Sequence, residues 1–159
     1  MQITQPVNII ALRRRMLIRA GLALLVIVCG LSLRWCGFPL GLPAFVVKYG
    51  GSLLWATMVF LLVGVLLPRL TGRQLAALAM GIAVVTELSR LVHMPWLDAF
   101  RLSTAGALLL GRIFSLWNLA AYAVGIAFGV WIDQIAATRR LTPPIETART
   151  DRAHPRSSA

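Results

Sequence analysis

Four stretches of the chain are almost uninterrupted apolar sequence, and the charged residues between them are mostly arginine. They cover about 16–33, 51–67, 75–92 and 116–133. Each has a length within the roughly 17–25 residues that a helix needs to cross a hydrocarbon layer. Inside such a layer backbone groups must be satisfied within the segment, which a helix does. The pattern therefore predicts an all-α integral membrane protein with four transmembrane helices. A fifth stretch, 102–111, follows the break at Pro95 and is about half a membrane long, as expected of a re-entrant or interfacial half-helix.

The segments between these stretches carry their own signals. Gly37, Pro39, Gly41 and Pro43 mark 34–49 as a loop or short interfacial element, and its Trp35, Phe38, Phe45 and Tyr49 suit the headgroup level. The connector PRLTGRQ is short, so the second and third helices should be antiparallel neighbours. The expected organisation is a basic N-terminus over 1–15, a single helical membrane domain over 16–133, and a tail over 134–159. That tail, rich in Arg, Thr, Pro and Ser, reads as disordered. A basic start before an apolar run also describes a secretory signal peptide, but no A-x-A-like site follows and the run is long, which favours an uncleaved anchor.

Composition supports the membrane reading and charge refines it. Of 159 residues 58% are hydrophobic and 13% charged, and the mean hydropathy is +0.79. A net charge of +11 would suggest nucleic acid in a soluble protein, yet the cations flank the apolar stretches, so it is read as topology and no nucleic-acid partner is expected. Placing both termini in the cytoplasm leaves eleven arginines inside, against five lysine and arginine residues (Arg34, Lys48, Arg90, Arg101, Arg112) on or near the outside. Arg139, Arg140, Arg149, Arg152 and Arg156 of the tail would each gain about 1 kcal/mol beside anionic lipid.

Candidate chemistry centres on TELSRLVHMPWLDAFR. Ala79, Ala83, Glu87 and Arg90 recur at spacings that share one helical face. Asn118, Tyr122, Gly125 and Gly129 form a matching face in the last span, with Gly125 and Gly129 in a GxxxG pattern that favours close packing. By helical rise Glu87 lies about 7 Å and Tyr122 about 9 Å below the outer end of their helices. A lone intramembrane charge costs about 2.5–3.5 kcal/mol on insertion scales, and Arg90 with the Tyr122 hydroxyl would reduce that. The group reads either as an ion pair joining two helices or as part of a ligand site.

Asp98 and Arg101 repeat the acid-x-x-Arg spacing near the outer surface, and Arg112 closes the half-helix on that side. Three arginines there could hold a phosphate bidentately, or Asp98 and Arg101 could form a solvated surface pair. The candidate ligand-binding cluster is thus Glu87, Arg90, Asp98, Arg101, Arg112, Asn118 and Tyr122. His93 has no second ligand at metal spacing and reads as interfacial, and no metal or cofactor is expected. Cys29 and Cys36, seven residues apart, imply no disulfide. Trp35, Trp55, Trp96, Trp117 and Trp131 fall near predicted span ends and read as anchors. No nucleotide loop or nucleophile motif is present, so an enzyme is not the expected reading.

The order KYGGSLLWA, then E-x-x-R-L-x-x-x-x-W-L-D-A-F-R-x-x-x-x-G, then LLGRIFSLWNLAAYAVG resembles a family of small bacterial inner-membrane proteins of unknown function, distantly similar to VanZ-like proteins. The resemblance covers about 33–129. It implies family residues at Glu87, Asp98, Arg101, Gly106, Gly111, Tyr122 and Gly125. The chain departs from the pattern at Ser52 and Asn118, where aspartates are usual, and at Arg90, where glutamine is usual. Together these features imply a multi-pass protein of the bacterial inner membrane. Its expected partners are the bilayer and an anionic or lipid-linked envelope ligand. A small proton-coupled transporter and a non-catalytic membrane subunit or scaffold are the alternatives.

Overall fold

The computed structural model describes residues 9–111 and 114–138. All regular structure among them is helical: α1 (Ile9–Cys36), α2 (Ala44–Leu66), α3 (Gly72–Ser89), α4 (Pro95–Leu102), α5 (Thr104–Leu109) and α6 (Leu116–Thr138). The basic start up to residue 8, the tail from 139 and Arg112 lie outside the described residues.

Among the described residues three helices are long and apolar enough to cross a membrane: Ile9–Cys36, Ala44–Leu66 and Leu116–Ala136. The third expected span, α3, is not among them. It has 18 residues, and Arg73, Gln74, Thr86, Glu87 and Ser89 dilute a sequence otherwise rich in alanine. The helices also extend past the apolar runs. α1 begins at Ile9 because arginine is a good helix former, so the basic cluster marks a change of surroundings without ending the helix. α2 begins at Ala44, directly after Pro43, whose fixed φ suits the residue ahead of a helix.

The expected half-helix over 102–111 is two short helices instead. Pro95 occupies the first turn of α4, where its missing N–H costs nothing. Ser103 ends α4 and caps α5, its hydroxyl accepting from the Gly106 N–H at 3.1 Å. Thr71 and Gln74 form a capping box that starts α3 after the short connector.

The central helix is α2, which packs against α1, α3 and α6. Small residues allow the close approach: Ala23 of α1, Ala56 of α2, and Ala79 and Ala83 of α3 are buried. Gly125 and Gly129 face α2, not α3. A Cβ at Gly125 would strike the Leu53 carbonyl oxygen, and one at Gly129 would lie 2.8 Å from the Phe60 ring. The outside of the bundle is apolar, with Leu24, Leu25, Val28, Leu66, Val85, Leu88 and Val124 exposed, the reverse of a soluble protein.

An ion-pair network ties α1 to α6 at the end of the bundle where α2 finishes. Arg19 is 1% exposed. Its Nε and Nη2 each donate to the Asp133 carboxylate at 2.8 Å, and its Nη1 donates to the Gly64 carbonyl at 2.7 Å. Arg15 adds a bond to Asp133 at 3.2 Å. Gly64 makes the room, since a Cβ there would lie 3.1 Å from the Arg19 side chain. The basic run that reads as topology in the sequence thus contributes a buried structural pair, whose partner sits at the far end of the last helix.

Candidate binding site

Antiparallel packing of α3 on α6 brings the end of one helix to the start of the other. Glu87, in the last turn of α3, is fully buried against the first turns of α6. Its Oε1 accepts from the Ser115 backbone N–H at 2.7 Å and the Asn118 amide at 3.1 Å. Its Oε2 accepts from the Tyr122 hydroxyl at 3.0 Å and pairs with Arg90 Nη1 at 2.6 Å. The partial positive charge at the start of α6 adds to these donors.

Arg90 completes the network. Its Nε donates to the Leu110 carbonyl at 2.6 Å and its Nη2 to the Tyr122 oxygen at 3.0 Å. Gly111 adopts a positive φ of 70°, and a Cβ there would fall 2.5 Å from Arg90 Nη2. Only glycine lets the chain turn over the guanidinium at that point. Acid and base are both desolvated and fully engaged, the arrangement in which a buried pair is tolerated.

Arg101 is placed elsewhere. It is 4% exposed and donates to the carbonyl of Val92 at 2.9 Å, to Asp98 Oδ1 at 3.0 Å, and to the carbonyl of Ser89. The last carbonyls of a helix lack intrahelical partners, and Arg101 donates to that of Ser89, the last residue of α3, and to that of Val92 just beyond it. Asp98 also lies 3.5 Å from the exposed His93. Arg101 therefore does not join Arg90 in the way the sequence spacing suggests, and Arg112 lies outside the described residues.

Beside the Glu87 group opens a cleft of about 870 Å³ between α1, α2, α5 and the start of α6. That volume falls in the about 300–1,000 Å³ range of small-molecule sites. Val26, Ile27 and Leu31 of α1, Leu54 and Met58 of α2, and Leu108 and Leu109 beyond α4 form its apolar walls. Arg90, Asn118 and Tyr122 line one side with polar groups, and the exposed Arg34 and Lys48 stand at the mouth.

Four cleft residues carry chemistry that their sequence context hides. Arg34 and Lys48 read as topology charges, Ser52 as a departure from a pattern, and Trp55 as an anchor. Once α2 starts at Ala44, Lys48, Ser52 and Trp55 fall at i, i+4 and i+7 on one face. Trp55 stands well inside the helix, half-buried, with its ring 5.4 Å from that of Tyr122. The remaining tryptophans, Trp35, Trp96, Trp117 and Trp131, are exposed. Among the described residues no group of His, Cys, Asp and Glu could hold a metal ion.

Residues 41–126 match the family model described as a protein of unknown function (DUF2809). The match covers more than half of the 159 residues, and the chain belongs to that family. It runs from the start of α2 into α6 and takes in Glu87, Arg90, Asn118 and Tyr122. No solved structure matches the chain.

Proposed function

We propose that this is a four-span protein of the bacterial inner membrane that binds an anionic lipid or lipid-linked envelope ligand in the cleft between α1, α2 and α6. The carrying observation is the charge balance of the cleft. The three carboxylates among the described residues are committed: Glu87 to Arg90, Asp98 to Arg101 and Asp133 to Arg15 and Arg19. Arg34 and Lys48 at the mouth have no carboxylate partner among those residues, and the walls below them are apolar. Cations at the rim and hydrocarbon beneath match the order of groups in a lipid.

Support for α3 as the fourth span comes from its surface. Leu78, Ile82, Val85 and Leu88 are exposed on its outer side, while its acid faces inward and is neutralised. Its 18 residues reach about 27 Å by helical rise, close to the hydrocarbon thickness. The arginine distribution supports a topology with both termini in the cytoplasm and the mouth of the cleft in the outer leaflet. VanZ-like kinship and a lipid-linked envelope intermediate are the extended form of this reading.

Native mass spectrometry of the purified protein tests it. The wild type should retain anionic lipid in preference to zwitterionic lipid, and Arg34→Ala with Lys48→Ala should abolish the preference. Equal retention of both lipid classes by the wild type would overturn the proposal.

A further inference from the structure

The cleft is layered along α2. Lys48, Ser52 and Trp55 descend one face, with about 6 Å and then about 4.5 Å of helical rise between them. Arg34 joins Lys48 in the top layer, Leu54 falls at the level of Trp55, and Met58 and Val26 lie deeper.

The middle layer is short of a donor. Asn118 is 3% exposed. Its amide nitrogen must be the atom that faces Glu87, because a carboxylate only accepts, so its Oδ1 faces Ser52. The Ser52 hydroxyl stands 3.4 Å from that oxygen and 3.2 Å from the Lys48 carbonyl. One proton cannot serve both acceptors fully, and the carbonyl one turn back is the usual recipient for a helical serine. A ligand donor at this level would complete the Asn118 carbonyl. An ammonium is disfavoured, since Arg90 already cancels Glu87 and the rim cations leave the cleft positive. A hydroxyl is the neutral alternative.

The third layer is apolar on the cleft side: the Trp55 indole N–H is sealed inside the protein, out of reach of the cleft. From rim to depth the cleft therefore presents cations, an acceptor and hydrocarbon.

We infer that the occupant is a monoacyl glycerophospholipid, whose phosphate, free backbone hydroxyl and single chain meet the cations, the Asn118 oxygen and the apolar lining in that order. The inference rests on the reading of the cleft as an anionic-lipid site and narrows it. In a diacyl lipid the hydroxyl is replaced by a second ester, which accepts only and leaves the Asn118 oxygen unserved.

Ligand competition on the full-length protein decides the matter, using native mass spectrometry and four lipids at equal concentration. These are a monoacyl phosphatidylglycerol, its analogue lacking the free hydroxyl of the acylated glycerol backbone, the diacyl phosphatidylglycerol and a monoacyl phosphatidylcholine. The hydroxyl-bearing monoacyl lipid should be retained about tenfold over its deoxy analogue, the weight of one buried hydrogen bond. It should also outcompete the diacyl form. Asn118→Leu should bring the hydroxyl-to-deoxy ratio to about one, whereas Lys48→Ala should weaken every anionic lipid and leave that ratio unchanged. Should Asn118→Leu fail to fold, the lipid pair on the wild type decides alone. Equal retention of the hydroxyl and deoxy lipids, or preference for the diacyl form, overturns the inference while the anionic-lipid reading stands. Indifference to headgroup charge overturns both.

Discussion

Replacing Glu87 by glutamine removes the charge from one member of a desolvated pair and leaves the other. The carboxylate is fully buried and meets four donors, from Ser115, Asn118, Tyr122 and Arg90, at 2.6 to 3.1 Å. A glutamine offers one oxygen, and its amide hydrogens would confront two of those donors. Arg90 would keep only the neutral oxygens of Leu110 and Tyr122 among the partners described above. Uncompensated burial of this kind costs about 3–5 kcal/mol. Arg90→Gln should be milder, because the carboxylate retains three hydrogen bonds that stabilise its charge. The double variant should be more stable than the sum of the two losses implies, with a coupling of about 1–3 kcal/mol. Reversible unfolding in mixed micelles, followed by tryptophan fluorescence across the four-member cycle, measures each quantity. A Glu87→Gln protein within about 0.5 kcal/mol of wild type, or strictly additive losses, would refute the reasoning and mean that the pair is solvated.

The Arg19 network should behave likewise: Asp133→Asn should cost about 3–5 kcal/mol in the same unfolding assay, and Arg19→Met with Asp133→Leu should recover most of it by replacing both charges with apolar groups. Gly125→Ala should destabilise more than Gly129→Ala, since the first meets the Leu53 backbone and the second a Phe60 ring that can turn. Thermal unfolding of the two variants ranks them, and equal midpoints would contradict the packing account. Cys36, exposed at the end of α1, should react with a membrane-impermeant maleimide in intact cells once Cys29 is replaced by serine. Labelling only after permeabilisation would reverse the proposed orientation.

The long helices are legible in the sequence because lipid rewards continuous apolar runs, and no interior pattern need be known to find them. Their ends are not, because a helix continues wherever propensity allows: α1 runs through Arg13 to Arg15, and α2 begins before its two adjacent glycines. Helical spacing alone puts Glu87 and Arg90 on one face with Ala79 and Ala83, and Asn118 with Tyr122 on another. The partner of each face is a tertiary fact. Gly125 shares the spacing of Tyr122 yet packs against α2, and Arg101 shares the spacing of Arg90 yet turns to the carbonyls at the end of α3. The bond between Arg19 and Asp133 joins positions 114 residues apart, and no local pattern encodes it.

The division of labour among the cations follows from desolvation. Arg90 lines the cleft, but any anion drawn to it would have to compete with a carboxylate at 2.6 Å, and breaking that pair would strand a buried charge. A cation that holds the bundle together is therefore poorly placed to hold a ligand. Arg34 and Lys48 are exposed and pair with no carboxylate among the described residues, Lys48 lying only over the Tyr49 ring at 5.1 Å, so an anion meets them at little structural cost. Lys48, Ser52, Trp55 and Asn118 lie in the matched 41–126 stretch, whereas Arg34 and the α1 wall lie before it. α1 rests on α2 along its length and is pinned to α6 through Arg19 and Asp133, at the end away from the mouth. That pin holds α1 at its far end, while among the described residues Arg34, at the cleft end of α1, makes no ion pair.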